Sequence, residues 1–340
     1  MTMTSTEKQA PEGARATASR AGLWKRLTGF DEAGLVLGVL VLVLAIGIPH
    51  PELFSPGSVK TLLRDAAFVG MMVFGMVFLI AMVEIDLSVG GMYAVSATSA
   101  ALMIKAGIDP WAAFAAALVI GAALGAINGL LTVLLDVPMI IVTLGTLSAY
   151  FGLNLIISGG RPIFGMPRDH SFFQFFGGEI LGLPTPSWIL LIALVGLHFV
   201  FKRTRFGATV RAIGANRAAA EFIGIRVGVT RIMVTTLVGI LCAFSGCMTL
   251  AFFKAVDPSM GLSKELMVIA AAVIGGTSLA GGTGTLIGAL LGVFVISLIN
   301  TAVVFYNIDP NYSRFVTGCV ILGAIALDRF LKRRNAAAKS

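Results

Sequence analysis

Long apolar blocks separated by short polar stretches organise this chain. They cover residues 33–48, 66–83, 89–105, 111–135, 138–158, 187–201, 232–252, 266–279, 285–306 and 315–330. A helix needs roughly 20 mostly apolar residues to cross a bilayer, and all but a few of these blocks approach that length; the eighth is short. Prolines mark their edges: Pro49 and Pro51 end the first, and Pro138 opens the fifth. The pattern predicts an all-α polytopic membrane protein of about ten transmembrane helices. Residues 1–32 read as a disordered cytoplasmic tail without a signal-peptide core, residues 33–331 as the transmembrane domain, and residues 332–340 as a second cytoplasmic tail.

Composition supports this reading. Hydrophobic residues make up 57% of the 340 and charged residues 12%, with mean hydropathy +0.94. A soluble domain carries about a quarter charged residues, so lipid must cover much of this surface. The net charge of +8 might suggest nucleic acid, but the basic residues gather at the ends of apolar blocks. Five lie in residues 1–33, seven in 202–231 and five in 329–340, out of 25. This is the positive-inside pattern. Ten crossings place all three clusters in the cytoplasm, which nine or eleven would not. The expected partner is the lipid bilayer and not nucleic acid.

Glycine is abundant, 40 residues in all, and small residues let membrane helices approach closely. Gly121, Gly125 and Gly129 recur every four residues, as helix packing requires. "LGAINGLL" at 124–131 resembles "IGALLGVF" at 287–294, and "EIDLSVGG" at 84–91 and "GGTSLAGG" at 275–282 each break the chain between two spans. This hints at an internal repeat of the kind found in transporters.

Chemistry is sparse. Cys242, Cys247 and Cys319 lie inside predicted spans without metal-ligand spacing, and His170 has no second His or Cys beside it, so no metal site is expected. There is no phosphate-binding loop and no convincing Ser/His/Asp set. No catalytic residue, cofactor or enzymatic activity is expected.

Three segments stand out. In the break at 84–91, Glu84 and Asp86 put carboxylates at a span junction, with Asp86 or Ser88 as a helix cap and Gly90 and Gly91 permitting a tight turn; the other reading is a proton or cation site. In the basic loop 202–231, Asn216 can cap a short helix that Ala218, Ala219 and Ala220 propagate and Gly224 ends. Phe222, Ile223 and Ile225 are then apolar groups on the cytoplasmic side, awaiting a partner surface or lipid headgroups. The external loop 159–186 can hold a small helix, with its Phe172–Phe173 and Phe175–Phe176 pairs packed onto the membrane.

These segments resemble the membrane permease subunits of ATP-binding cassette (ABC) importers for ribose, xylose, related monosaccharides and the furanosyl autoinducer. The resemblance covers about residues 55–330. Its carriers are "EIDLSVGG" at 84–91, "VPMIIVTLGTLSAYFGL" at 137–153, "TRFGATVRAIGANRAAAEFIGI" at 204–225 and "AAVIGGTSLAGGTGTLIGALLG" at 271–292. It implies that the short helix at about 216–225 is a coupling helix docking on a separate ABC ATPase subunit, through Ala218, Ala219, Phe222 and Gly224, with Arg211 and Asn216 shaping the approach. Arg217 stands where the family commonly has Glu, with Glu221 four residues on, and Glu84 stands where Gly is common. The resemblance further implies a bundle of about ten helices, a second permease copy (homo- or heterodimer), an extracytoplasmic solute-binding protein, and a place in the bacterial inner membrane.

A sugar path should be mildly polar, which singles out Phe74, Tyr93, Asn128, Asn154 and Asn300 on the inner spans. The alternatives are a relative carrying branched-chain amino acids or nucleosides, an ion-coupled secondary transporter and a passive channel.

Overall fold

The structure, a computed structural model, describes residues 32–309 and, beyond them, residues 312, 315, 318, 319 and 323. The predicted tails and the span predicted at 315–330 lie, but for a few single residues, outside the described part.

The described chain forms twelve α-helices, in order α1 Ala33–Gly47, α2 Pro56–Ala81, α3 Val89–Lys105, α4 Pro110–Leu134, α5 Met139–Ser158, α6 Ser171–Gly177, α7 Thr185–Arg203, α8 Arg205–Ala215, α9 Arg217–Phe222, α10 Val227–Phe253, α11 Lys264–Ile274 and α12 Leu286–Phe305. A two-residue hairpin pairs β1 (Glu179–Ile180) with β2 (Leu183–Pro184). Six helices are long and apolar enough to cross a membrane, namely α2, α4, α5, α7, α10 and α12. They establish an all-α, multi-pass architecture.

Helix α2 begins ten residues before the predicted block. Ser55 caps it by accepting the Ser58 N–H at 3.3 Å, and Pro56 fills the first turn. Lys60, Arg64 and Asp65 make the first turns read as a loop, but each charge has a partner. Lys60 pairs with Glu179 at 2.6 Å, and Arg64 pairs with Asp65 at 2.9 Å. From residue 66 to 81 every residue but Val69 is buried, as befits a helix apolar on all sides.

Helix α10 lies against α2, α3 and α4. Lipid removes the hydrophobic drive between helices, so close van der Waals packing has to hold them. The α4 glycines supply it: a Cβ on Gly121 or Gly125 would overlap the backbone carbonyl oxygen of Gly239 or Thr235 in α10, and one on Gly129 would lie 2.7 Å from the Ile232 Cα. The repeat partner in α12 behaves likewise, with Gly288 and Gly292 seated on the carbonyls of Gly275 and Ala271.

The predicted eighth span, 266–279, is corrected. Only Lys264–Ile274 is helical, about 16 Å of rise and roughly half a bilayer core. Gly276 turns out of it at φ +86°, and the chain stays irregular to Thr285. Irregular backbone at membrane depth survives only where its polar groups are satisfied. Here the N–H groups of Gly275, Gly276, Thr277 and Gly281 bond within the segment or to α11, and that of Gly282 bonds the Ala81 carbonyl oxygen at 2.9 Å. The two glycine-containing breaks, far apart in sequence, therefore meet at the end of α2.

Candidate functional site

The basic loop folds as its local chemistry predicts. Asn216 Oδ1 accepts the Ala219 N–H at 3.0 Å, which caps α9, and Gly224 ends it at φ +87°. Helix α9 is nearly free of its own protein. Ala220 is buried, whereas Arg217, Ala218, Ala219 and Glu221 are exposed, Ile223 is 73% exposed and Phe222 is 92% exposed. Arg217 does not reach out of the helix but pairs with Glu221 at 3.0 Å. The result is a capped knob bearing apolar groups.

The knob is anchored through α8. Thr204 caps α8 by accepting the Gly207 N–H at 3.2 Å, and Val210 and Ile213 are buried. Arg211 donates to the Phe201 carbonyl oxygen at the end of α7. At the far end, Gly214 sits so tightly that a Cβ would overlap the Ala81 carbonyl oxygen and lie 2.7 Å from the Gly282 nitrogen. One turn of backbone thus joins the knob's support to both breaks.

The break at 84–91 differs from its sequence reading. Neither Asp86 nor Ser88 caps α3 with its side chain. The carboxylate of Asp86 instead accepts the N–H and the hydroxyl of Ser88, both at 2.7 Å, and the Asn128 amide at 3.0 Å. Asn128 also donates to Ser88 Oγ at 2.7 Å, and its Oδ1 lies 3.0 Å from the Tyr150 hydroxyl. Asp86, Ser88 and Asn128 are fully buried; a close-packed network of neutral donors locks α3, α4 and α5 together. Gly90 and Gly91 serve close packing inside α3, against Gly261 and Tyr150. Glu84 pairs with Arg231 in the first turns of α10, where Nε meets Oε1 at 2.9 Å.

The proposed path residues do not converge. Phe74 and Tyr93 are buried in the core, Asn128 belongs to the Asp86 network, and Asn154 bridges Thr98 (2.6 Å) and the Pro258 carbonyl oxygen (2.8 Å). Asn300 lines a cavity between α2 and α12. The external-loop phenylalanines also depart from expectation. Phe172, Phe173 and Phe176 are buried among Trp111, Phe114 and Phe244 rather than laid on lipid, and only Phe175 is exposed. Among the described residues no cluster of His, Cys, Asp and Glu could hold a metal.

Comparison with known proteins agrees with this architecture. Residues 58–325 match the family model described as the branched-chain amino acid transport system/permease component. The chain is 39% identical to the ribose import permease protein RbsC of Bacillus subtilis over 88% of this chain and 93% of that protein. It is 31% identical to the L-arabinose ABC transporter permease protein AraH of Azospirillum brasilense, over 97% and 96%. It is 32% identical to the D-allose transport system permease protein AlsC of Escherichia coli, over 89% and 93%. No solved structure matches the chain. A multi-pass bundle, with an exposed capped helix joined to two breaks between helices and matched over most of its length by transport permeases, belongs to this family of ABC transporter permease components.

Proposed function

We propose that this chain is the permease subunit of an ABC importer that moves a monosaccharide across the bacterial inner membrane. The observation that carries the reading is α9, a helix capped at both ends that buries one alanine and offers Phe222 and Ile223 to a partner. Such a surface suits the groove of a separate ATPase subunit. The relatives matched over most of their length are permeases for ribose, arabinose and allose. Because these likenesses span nearly the whole chain, they favour a sugar over the amino acids that the family description mentions.

In this reading the chain crosses the membrane ten times, the eighth crossing being made by α11 together with the irregular segment that follows it, with both termini and the 202–231 loop in the cytoplasm. Two permease copies enclose the path, and an extracytoplasmic binding protein delivers the solute. ATP binding draws the ATPase subunits together and pushes α9. Through α8 and Gly214 that push reaches both breaks and shifts the bundle between two conformations. The permease supplies no bond chemistry, only a balance between states.

The test is uptake of labelled sugar by the complete transporter carrying Phe222→Asp or Gly224→Val. The first puts a charge on the docking face, and the second forces a β-branched residue to φ +87°. Uptake should stop while membrane insertion persists. Normal uptake by both variants at equal expression would overturn the docking assignment.

A further inference from the structure

The polar side chains of α12 between Leu286 and Phe305 are Ser297, Asn300 and Thr301, and all three line one cavity of about 510 Å³. From the opposite wall α2 presents Ser58, Thr61 and Asp65, spaced as neighbours on a single helical face. Lys60 and Arg64 leave by another face, toward Glu179 and over the Phe252 ring at 4.1 Å. Beyond Asp65 α2 has no further polar side chain, and Val69 and Ile296 border the cavity there. From Ser55 to Asp65 the cavity follows about 15 Å of helix, roughly half the thickness of a bilayer core.

Polar groups on a membrane helix either bond a neighbouring helix or face a water-filled path. Thr301 bonds the Ser297 carbonyl oxygen at 2.9 Å and Ser58 bonds Ser55 at 3.0 Å, both local contacts. The side chains of Thr61, Ser297 and Asn300 bond nothing among the described residues. Arg64 occupies Asp65 Oδ1 through two nitrogens and leaves Oδ2 open. The cavity volume falls within the range of small-molecule sites, roughly 300–1,000 Å³.

We propose that this cavity holds the transported solute part-way across the membrane and selects a neutral polyhydroxylated molecule. The inference rests on the sugar-permease reading above. Hydroxyls both donate and accept, and so do Thr61, Ser297 and the Asn300 amide; Asp65 accepts from a hydroxyl pair; and Leu62 and Phe305 offer apolar surface to the C–H face of a sugar. Among the described residues the lining carries one carboxylate and no ammonium or guanidinium. Arg64 already pairs with that carboxylate, so the lining offers an anionic solute no free cation of its own and suits a neutral one.

The experiment uses proteoliposomes holding permease, ATPase and binding protein, with labelled D-ribose, L-arabinose and D-allose. Asn300→Leu, Thr61→Val and Asp65→Asn should each raise the half-saturation concentration, by about tenfold for one lost hydrogen bond of ~1.4 kcal/mol, and should reorder preference among the three sugars, which loosened packing alone would not do. In a Cys319→Ser background, where Cys242 and Cys247 are buried, labelling of Asn300→Cys by a charged thiol reagent should be slowed by the transported sugar but not by ribose 5-phosphate or leucine. Unchanged half-saturation and preference in all three variants, or labelling that sugar does not slow, would overturn the cavity assignment while the parent still transports. A parent complex that moves none of the sugars would overturn the sugar reading itself, and this inference with it.

Discussion

Glu84 and Arg231, 147 residues apart in sequence, form a largely buried ion pair that fastens the break after α2 to the first turns of α10. Their side chains are 13% and 8% exposed, so either charge left alone would be stranded. Glu84→Ala or Arg231→Ala should each cost about 3–5 kcal/mol, read as a lower unfolding temperature of the purified protein. Replacing both with Met should recover most of that loss. Single variants as stable as the parent would show that the pair is solvated.

Asn128 holds Asp86 Oδ2 and Ser88 together and receives Tyr150. Asn128→Ala leaves a buried carboxylate oxygen without its donor, at about 1–3 kcal/mol. Asn128→Asp should be worse, because it sets a second carboxylate beside the first. Thermal unfolding of the two variants side by side checks the order.

Gly214 has no room for a side chain, and Gly145 on the exposed face of α5 has nothing within 4 Å. Gly214→Ala should lower stability by about 1–3 kcal/mol and block uptake, whereas Gly145→Ala should leave both unchanged. Equal behaviour of the two would remove the steric joint between α8 and the breaks.

Asp109 caps α4 and accepts the N–H groups of Ala112 and Trp111 and a bond from His170 at 3.1 Å. The Ala112 N–H foremost, then that of Trp111 and the His170 contact, hold its carboxyl below the usual aspartate range. A depressed carboxyl stabilises the fold above its unfolded pKa, about 3.9, and that contribution fades as pH falls through the lower folded value. The acid side of the stability profile should flatten in Asp109→Asn, which keeps the acceptor but loses the charge. The carboxylate is solvent-exposed, so the change should be small, visible as a shallower drop in unfolding temperature below about pH 4.

What could be read in the sequence is what neighbours in the chain decide. The capped helix from Asn216 to Gly224 depends on contacts three and four residues apart, and it forms as predicted. The spacing of Gly121, Gly125 and Gly129 marks a contact face without naming its partner. Asp86 reads as a cap because Ser88 and an apolar run follow it, yet its third donor, Asn128, lies 42 residues away. Lys60, Arg64 and Asp65 disguise the start of α2 because the partners of Lys60 and Arg64, Glu179 and Phe252, come from distant loops and helices. That disguise also hides Thr61 and Asp65 from any choice of path residues, so Asn300 stands alone there and its facing wall is missed.

The backbone contact between α4 and α10 bears on how the bundle moves. Helices interlocked at Gly121, Gly125 and Gly129 over more than two turns have no side-chain cushion in which to slide or rotate. A force entering α10 at Arg231 is therefore passed to α4 without slack, and the Asp86–Asn128 network extends the same stiff piece to α3 and α5. On the proposed importer reading, α3, α4, α5 and α10 then travel as one block in any stroke, with far fewer moving parts than helices.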